Sequence, residues 1–290
     1  MRSEEEIMDS ILKTAKEDGR IRAVYMSGSR IDPNATHDKY SDFDIVYIVK
    51  DIRSFTNNEQ WLDGFGDLLI MQKPVDWYNH SYDYNSTESF TYLMQFKDGN
   101  RIDLTLIDIR NIQDTIKDRE PRVILLDKDK IDGLDTIEVG NYYYIQKPTA
   151  EEFKDCCNEF WWLSINVGKG LCREEFMFVK SLMEGYEMNM FLKMLKWKIG
   201  IDYDFSVSIG KHYKYLKRYL SKKDMDRFTN LFPNGTYNDI WDKFFETCKF
   251  FHEIESKVAM YFKFEYFKDE AENIMEYLNA MKEEKTMENG

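Results

Sequence analysis

The apolar residues of this chain change their period once, and that change limits the fold more than any other feature. Through the first part they come in short strand-like runs: IRAVYMS (21–27), DFDIVYIV (42–49), DLLIMQ (67–72), YLMQF (92–96), RIDLTLI (101–107) and RVILLD (122–127). Successive side chains of a strand take opposite faces, so such runs can bury one face of a sheet. The last long pair is joined by Lys97-Asp98-Gly99-Asn100, and Asp-Gly predicts a tight hairpin turn. From Pro148 onward the spacing is helical. Phe153, Cys156, Phe160 and Val167 form one stripe, and Trp241, Phe244, Phe245, Cys248 and Phe251 another. Thr149 with Glu152 predicts a capping box at the start of the first of these helices. Loops at 201–210 and 232–239 separate the helices, and the Met-rich stretch 177–197 reads as core packing. A further amphipathic helix, with Ile7, Ile11, Leu12 and Ala15 on one side, precedes the strands. The expected fold class is α+β: a mixed β-sheet domain with flanking helices over 1–140, then an α-helical bundle over 141–290.

Composition narrows the function. A hydrophobic content of 43% in 290 residues supports two real cores, and 16% aromatic residues argue against disorder. No apolar run reaches the ~18–20 residues that cross a bilayer, and the acidic start MRSEEEIMDS is neither a signal nor a transit peptide, so a cytoplasmic protein is expected. A net charge of -13 disfavours a nucleic-acid partner and suits a small cationic one. Cys156, Cys157, Cys172 and Cys248 have no zinc-ligand spacing and read as buried, reduced thiols. No G-x-x-x-x-G-K-[ST] loop is present, which disfavours a P-loop kinase.

The chemistry-bearing stretch is MSGSRIDPNATHDKYSDFDIVYIV (26–49). Residues two apart in a strand share a face, so Asp42 and Asp44 project together while Phe43, Ile45, Tyr47 and Val49 take the other side. Two adjacent carboxylates repel unless a cation sits between them, and oxygen-only ligands point to Mg²⁺. Gly28-Ser29, at the end of an apolar strand, is a small-residue turn at which backbone N–H groups can approach a phosphate. In RIDLTLI the apolar Ile102, Leu104 and Leu106 leave Asp103 on the opposite face, a third acidic candidate. Asp108 reads as a residue that ends the strand.

These residues resemble the polymerase-β-type nucleotidyltransferase superfamily, and within it the aminoglycoside 6-adenylyltransferases, the streptomycin-modifying enzymes. The segments MRSEEEIMD, RIRAV, GSR, SDFDIVYIV, MQKP, DGNRIDLTLI, LLDKD, KPTAEEFKDCCNEFW, KGLCR and GKHYKYLKRYL carry the similarity over some three-quarters of the chain. The resemblance implies that AMP passes from Mg-ATP to the 6-hydroxyl of streptomycin with release of pyrophosphate, which confers antibiotic resistance. It makes 1–140 the catalytic domain and 141–290 the substrate-binding one. Asp42, Asp44 and Asp103 would bind metal, with Asp103 also the general base. Gly28, Ser29 and Arg30 would hold phosphate oxygens and Lys211 would reach the triphosphate. In NEFWW (158–162) Glu159 is a candidate to pair with a cationic group of the drug, and Trp161 or Trp162, the latter foremost, to stack on a sugar or cover a cation. The sequence departs from the family pattern at Ser27 and Ser181, where acidic residues are usual, and over 75–90. The same motif admits two alternatives: adenylylation of another small-molecule or protein hydroxyl, and a non-catalytic nucleotide-binding protein. Oligomeric state is not legible.

Overall fold

The structure, a computed structural model, describes residues 1–74, 89–266 and 268–288. Most of the divergent segment 75–90 lies outside these residues. The chain divides into two compact units, Met1–Tyr142 and Tyr143–Gly290.

The first unit is built on six strands, β1 (Ile21–Ser27), β2 (Phe43–Val49), β3 (Leu68–Gln72), β4 (Ser89–Phe96), β5 (Arg101–Asp108) and β6 (Val123–Asp127). Their order across the sheet is β3-β4-β5-β2-β1-β6. Only the central β2–β5 pairing is parallel among those described; the others are antiparallel, so the sheet is mixed as expected. Alternation sorts its two faces. Phe43, Ile45, Tyr47 and Val49 of β2 pack with Ile102, Leu104 and Leu106 of β5 in the larger core. Helix α1 (Glu4–Glu17) covers that core with Ile7, Ile11 and Ala15. The buried Tyr47 hydroxyl donates to the Ile11 carbonyl at 2.7 Å, which fixes the helix on the strand. Val46 and Ile48 face the other way, into a smaller core completed by Ile112 and Leu134. The short helices α2 (Arg53–Thr56) and α3 (Ile112–Asp118) flank the sheet.

The β4–β5 hairpin turns where Asp98-Gly99 predicts it. Gly99 adopts φ +88°, and the Asp98 carboxylate accepts from the Asn100 N–H at 3.0 Å. Asp108 is nearly fully buried and accepts from the Arg110 backbone N–H and guanidinium, so it is indeed a strand-ending cap.

The second unit is helical: α4 (Ala150–Cys172), α5 (Phe176–Ser181), α6 (Met188–Asp202), α7 (Leu216–Tyr219), α8 (Lys222–Thr229), α9 (Tyr237–Phe262) and α10 (Lys268–Glu288). Thr149 and Glu152 form the capping box of α4, each side chain satisfying the other's backbone N–H. The two apolar stripes meet where Phe160 of α4 stacks on Phe251 of α9, ring centroids 3.6 Å apart. The Met-rich stretch is core only in part. Met183, Met188 and Met194 are buried, but Met177 is 73% exposed at the start of α5. All four cysteines are free thiols; Cys156 and Cys248 are buried, and burial pushes the Cys156 thiol up to about 12. Among the described residues no helix is long and apolar enough to cross a membrane.

Between α5 and α6 the backbone widens into a π-type turn, Leu182–Glu187, that carries Glu187 into the core. Glu187 is completely buried, its Oε1 is 2.7 Å from the Ser164 hydroxyl, and its Oε2 has no partner. That hydroxyl also lies 2.9 Å from the Phe160 carbonyl oxygen. One hydroxyl hydrogen cannot serve two acceptors, so a protonated carboxyl that donates to Ser164 Oγ completes the set. Burial accordingly raises the Glu187 carboxyl to about 8.

Candidate active site

Sheet register brings the acidic residues together. Asp44 is paired with Ser27 on one side and with Asp103 on the other, so the ends of β1, β2 and β5 lie side by side. Both carboxylates project from the face opposite the larger core, as their parity requires. Asp42 lies one residue ahead of β2, not within it.

The element that holds Asp42 in place is Arg30. Its Nε donates to the Asp42 carbonyl at 2.9 Å and its Nη2 to the Ser41 carbonyl at 2.7 Å. Its Nη1 pairs with Glu4 at 2.9 Å, and the guanidinium lies 3.6 Å over the Phe43 ring. The sequence reading gave Arg30 to phosphate oxygens. In the structure all three nitrogens are engaged within the protein, so Arg30, its side chain largely covered, braces the loop that leads into β2.

Gly28 opens a single 3₁₀ turn, Gly28–Ile31, at the end of β1. Its φ is +72°, and a Cβ there would stand 2.0 Å from Asp44 Oδ2. Only glycine allows the turn to lie against the carboxylate. Gly28→Ala should therefore destabilise the protein by at least about 1–2 kcal/mol, the cost of a left-handed L-residue, before any cost of moving Asp44. Thermal denaturation reads this directly, and an unchanged midpoint would refute the contact. Ser29 follows, its carbonyl 3.0 Å from His37 Nε2.

A residue that the sequence reading missed lies among the three carboxylates. Arg101 begins β5, two residues before Asp103 and so on its face. Its Nε and Nη2 donate to the two Asp103 oxygens at 2.7 and 2.8 Å. The same Nε is 3.7 Å from Asp42 Oδ2. The guanidinium is pushed further up from its ordinary value, first by the hydrogen bonds to Asp103, then by the charges of Asp103, Asp42 and Asp44 against an opposing desolvation. The strand parity of R-x-D could have revealed it. As the side chains stand, no three acidic, His or Cys residues among those described are arranged tightly enough to hold a metal ion. The oxygen-only donors around a guanidinium nevertheless suit a hard cation at the same place.

The remaining candidates belong to the second unit. Lys211 is exposed and follows Gly210, whose φ is +69°. Glu159 and Trp162 are exposed on α4, three residues apart and thus on one helix face. Trp162 is 62% exposed, whereas its neighbour Trp161 is buried and donates to Glu255. Ser27 ends β1 beside Asp44, and Ser181 is exposed at the end of α5.

A family described as streptomycin adenylyltransferase matches residues 1–281. An aminoglycoside 6-adenylyltransferase of Bacillus subtilis (strain 168) is 38% identical over 283 residues, covering 97% of this chain and 98% of its own. One from Campylobacter jejuni is 39% identical over 267 residues, covering 92% and 91%. A crystal structure of an aminoglycoside 6-adenyltransferase from Bacillus subtilis is 35% identical and covers 97% of this chain and 99% of its own, with a TM-score of 0.48. With a family match over nearly its whole length and relatives at this identity, the chain belongs to the streptomycin adenylyltransferase family and is a nucleotidyltransferase.

Proposed function

We propose that the protein transfers AMP from Mg-ATP to a hydroxyl of an aminoglycoside, the 6-hydroxyl of streptomycin foremost, and releases pyrophosphate. The observation that carries this reading is the gathering of Asp42, Asp44 and Asp103 around one cationic group beside the Gly28 turn. The names of the relatives supply the substrate class. Asp42, Asp44 and Asp103 would hold the metal, and their all-oxygen donors favour Mg²⁺. Once bound, a divalent ion would offset charge on the α-phosphate and on the departing pyrophosphate.

The chain's own residues do the rest. Asp103 takes the proton of the acceptor hydroxyl as its oxygen bonds to the α-phosphorus. The bond from that phosphorus to the bridging oxygen of the β-phosphate breaks in line, and pyrophosphate leaves. The Gly28 turn leaves room for phosphate oxygens to approach backbone N–H groups, and Ser29 adds a hydroxyl donor. Glu159 and Trp162 suit a guanidinium or ammonium of the drug, as counter-charge and as aromatic face. The cytoplasm, where ATP is held, is where such a reaction would confer resistance.

The test is pyrophosphate release by purified protein with Mg-ATP and a panel of aminoglycosides. Release with streptomycin and a drug mass increased by one AMP is expected. No release with any member of the panel would overturn the acceptor class.

A further inference from the structure

Two arginines approach the carboxylate cluster, and they differ in kind. The Arg30 side chain is only 9% exposed and its nitrogens are bonded to backbone carbonyls and Glu4. The Arg101 side chain is 39% exposed and pairs with the carboxylates of Asp103 and Asp42. Its backbone is fixed by pairing with Gln95 across the hairpin, so its guanidinium can move without disturbing the sheet.

We propose that Arg101 is an exchangeable counter-cation: a divalent metal takes its place on Asp103 and Asp42, and the displaced guanidinium then donates to the phosphates of the nucleotide. This inference rests on the adenylyl-transfer reading above. Its fork holds both oxygens of Asp103, the same atoms that a metal would need. A divalent ion ligates carboxylate oxygen at about 2.0–2.1 Å, and at that place it would repel a guanidinium fixed to the same group. A guanidinium that lets go of the cluster finds its strongest new acceptor in a polyphosphate, which it can grip with two parallel donors. The same side chain thus keeps three like charges compatible with folding and later favours the charged substrate.

The exchange makes a prediction of opposite sign for two ligands. With Arg101→Met, which keeps the aliphatic stem, Mn²⁺ should bind the nucleotide-free protein about 5–10-fold more tightly, because no resident cation has to be displaced. Electron paramagnetic resonance of free Mn²⁺ measures this. The magnesium complex of a non-hydrolysable ATP analogue should bind about 10-fold more weakly by calorimetry, one charge-assisted fork having been lost. Arg101→Lys retains charge without the fork, should fall between wild type and Arg101→Met in both, and serves alone if the Met variant does not fold. A merely structural ion pair would weaken both ligands on removal. Unchanged or weaker Mn²⁺ binding in the variants overturns the exchange, and unchanged nucleotide binding overturns the hand-over to phosphate. If the wild type releases no pyrophosphate yet the split is observed, the transferase reading fails while the exchange stands.

Discussion

Asp44→Asn is expected to cut pyrophosphate release by about 10²–10³-fold or more, the scale on which loss of one stabilising charge acts at a transition state. Asp44 is flanked by Ser27 and Asp103 in the sheet and lies against the Gly28 turn, so its carboxylate is held in one place within the cluster. Asparagine has the same shape and keeps those contacts. The loss should therefore appear in kcat/KM with the thermal midpoint held close to that of the wild type. A variant that retains wild-type turnover would remove Asp44 from the chemistry.

Glu187→Gln should act on stability instead, and in a pH-dependent way. The carboxyl is raised to about 8 in the folded protein against an ordinary value of 4.5. The fold therefore keeps a proton that the unfolded chain releases. The stability contributed by this group is full below pH 4.5 and is lost as pH climbs through the window to about 8. Each unit of that window is worth about 1.4 kcal/mol, so the difference at pH 8 amounts to several kcal/mol. Glutamine carries no titrating proton and can still donate to Ser164, at the cost of one unpaired N–H. Relative to wild type, the variant should gain in thermal midpoint between pH 6 and pH 8. Parallel midpoint curves for the two proteins would refute a neutral, buried Glu187.

How much of this could be read beforehand depends on the range of the interaction. The strands were legible because alternation is local: IRAVYMS and RIDLTLI each declare a buried face, and β1 runs over just the residues of the first. The Thr149–Glu152 box was legible for the same reason. Parity also put Asp44 and Asp103 on one side of their strands, and the sheet makes them neighbours. The contacts of Arg30 were not legible locally, where an arginine after Gly-Ser suggests a phosphate donor. The carbonyls of Ser41 and Asp42 and the Phe43 ring that actually hold it are distant in the chain. Arg101 is open to the same parity argument as Asp103, since both lie on one face of β5. Glu187 could not be foreseen at all. A glutamate in a helical stretch reads as solvated, and only the widened turn rotates it inward.

The parallel β2–β5 pairing has a consequence for the order in which the molecule is made. During synthesis Asp42 and Asp44 leave the ribosome long before Asp103, and their strand can pair with β1 at once. The central register closes only when β5 arrives, and it then sets an acidic side chain directly against Asp44. That late step would be opposed by repulsion were it not for the residue two places earlier on the incoming strand. Arg101 travels with Asp103, so the segment that brings the last negative charge to the nascent sheet delivers its own neutraliser in the same movement.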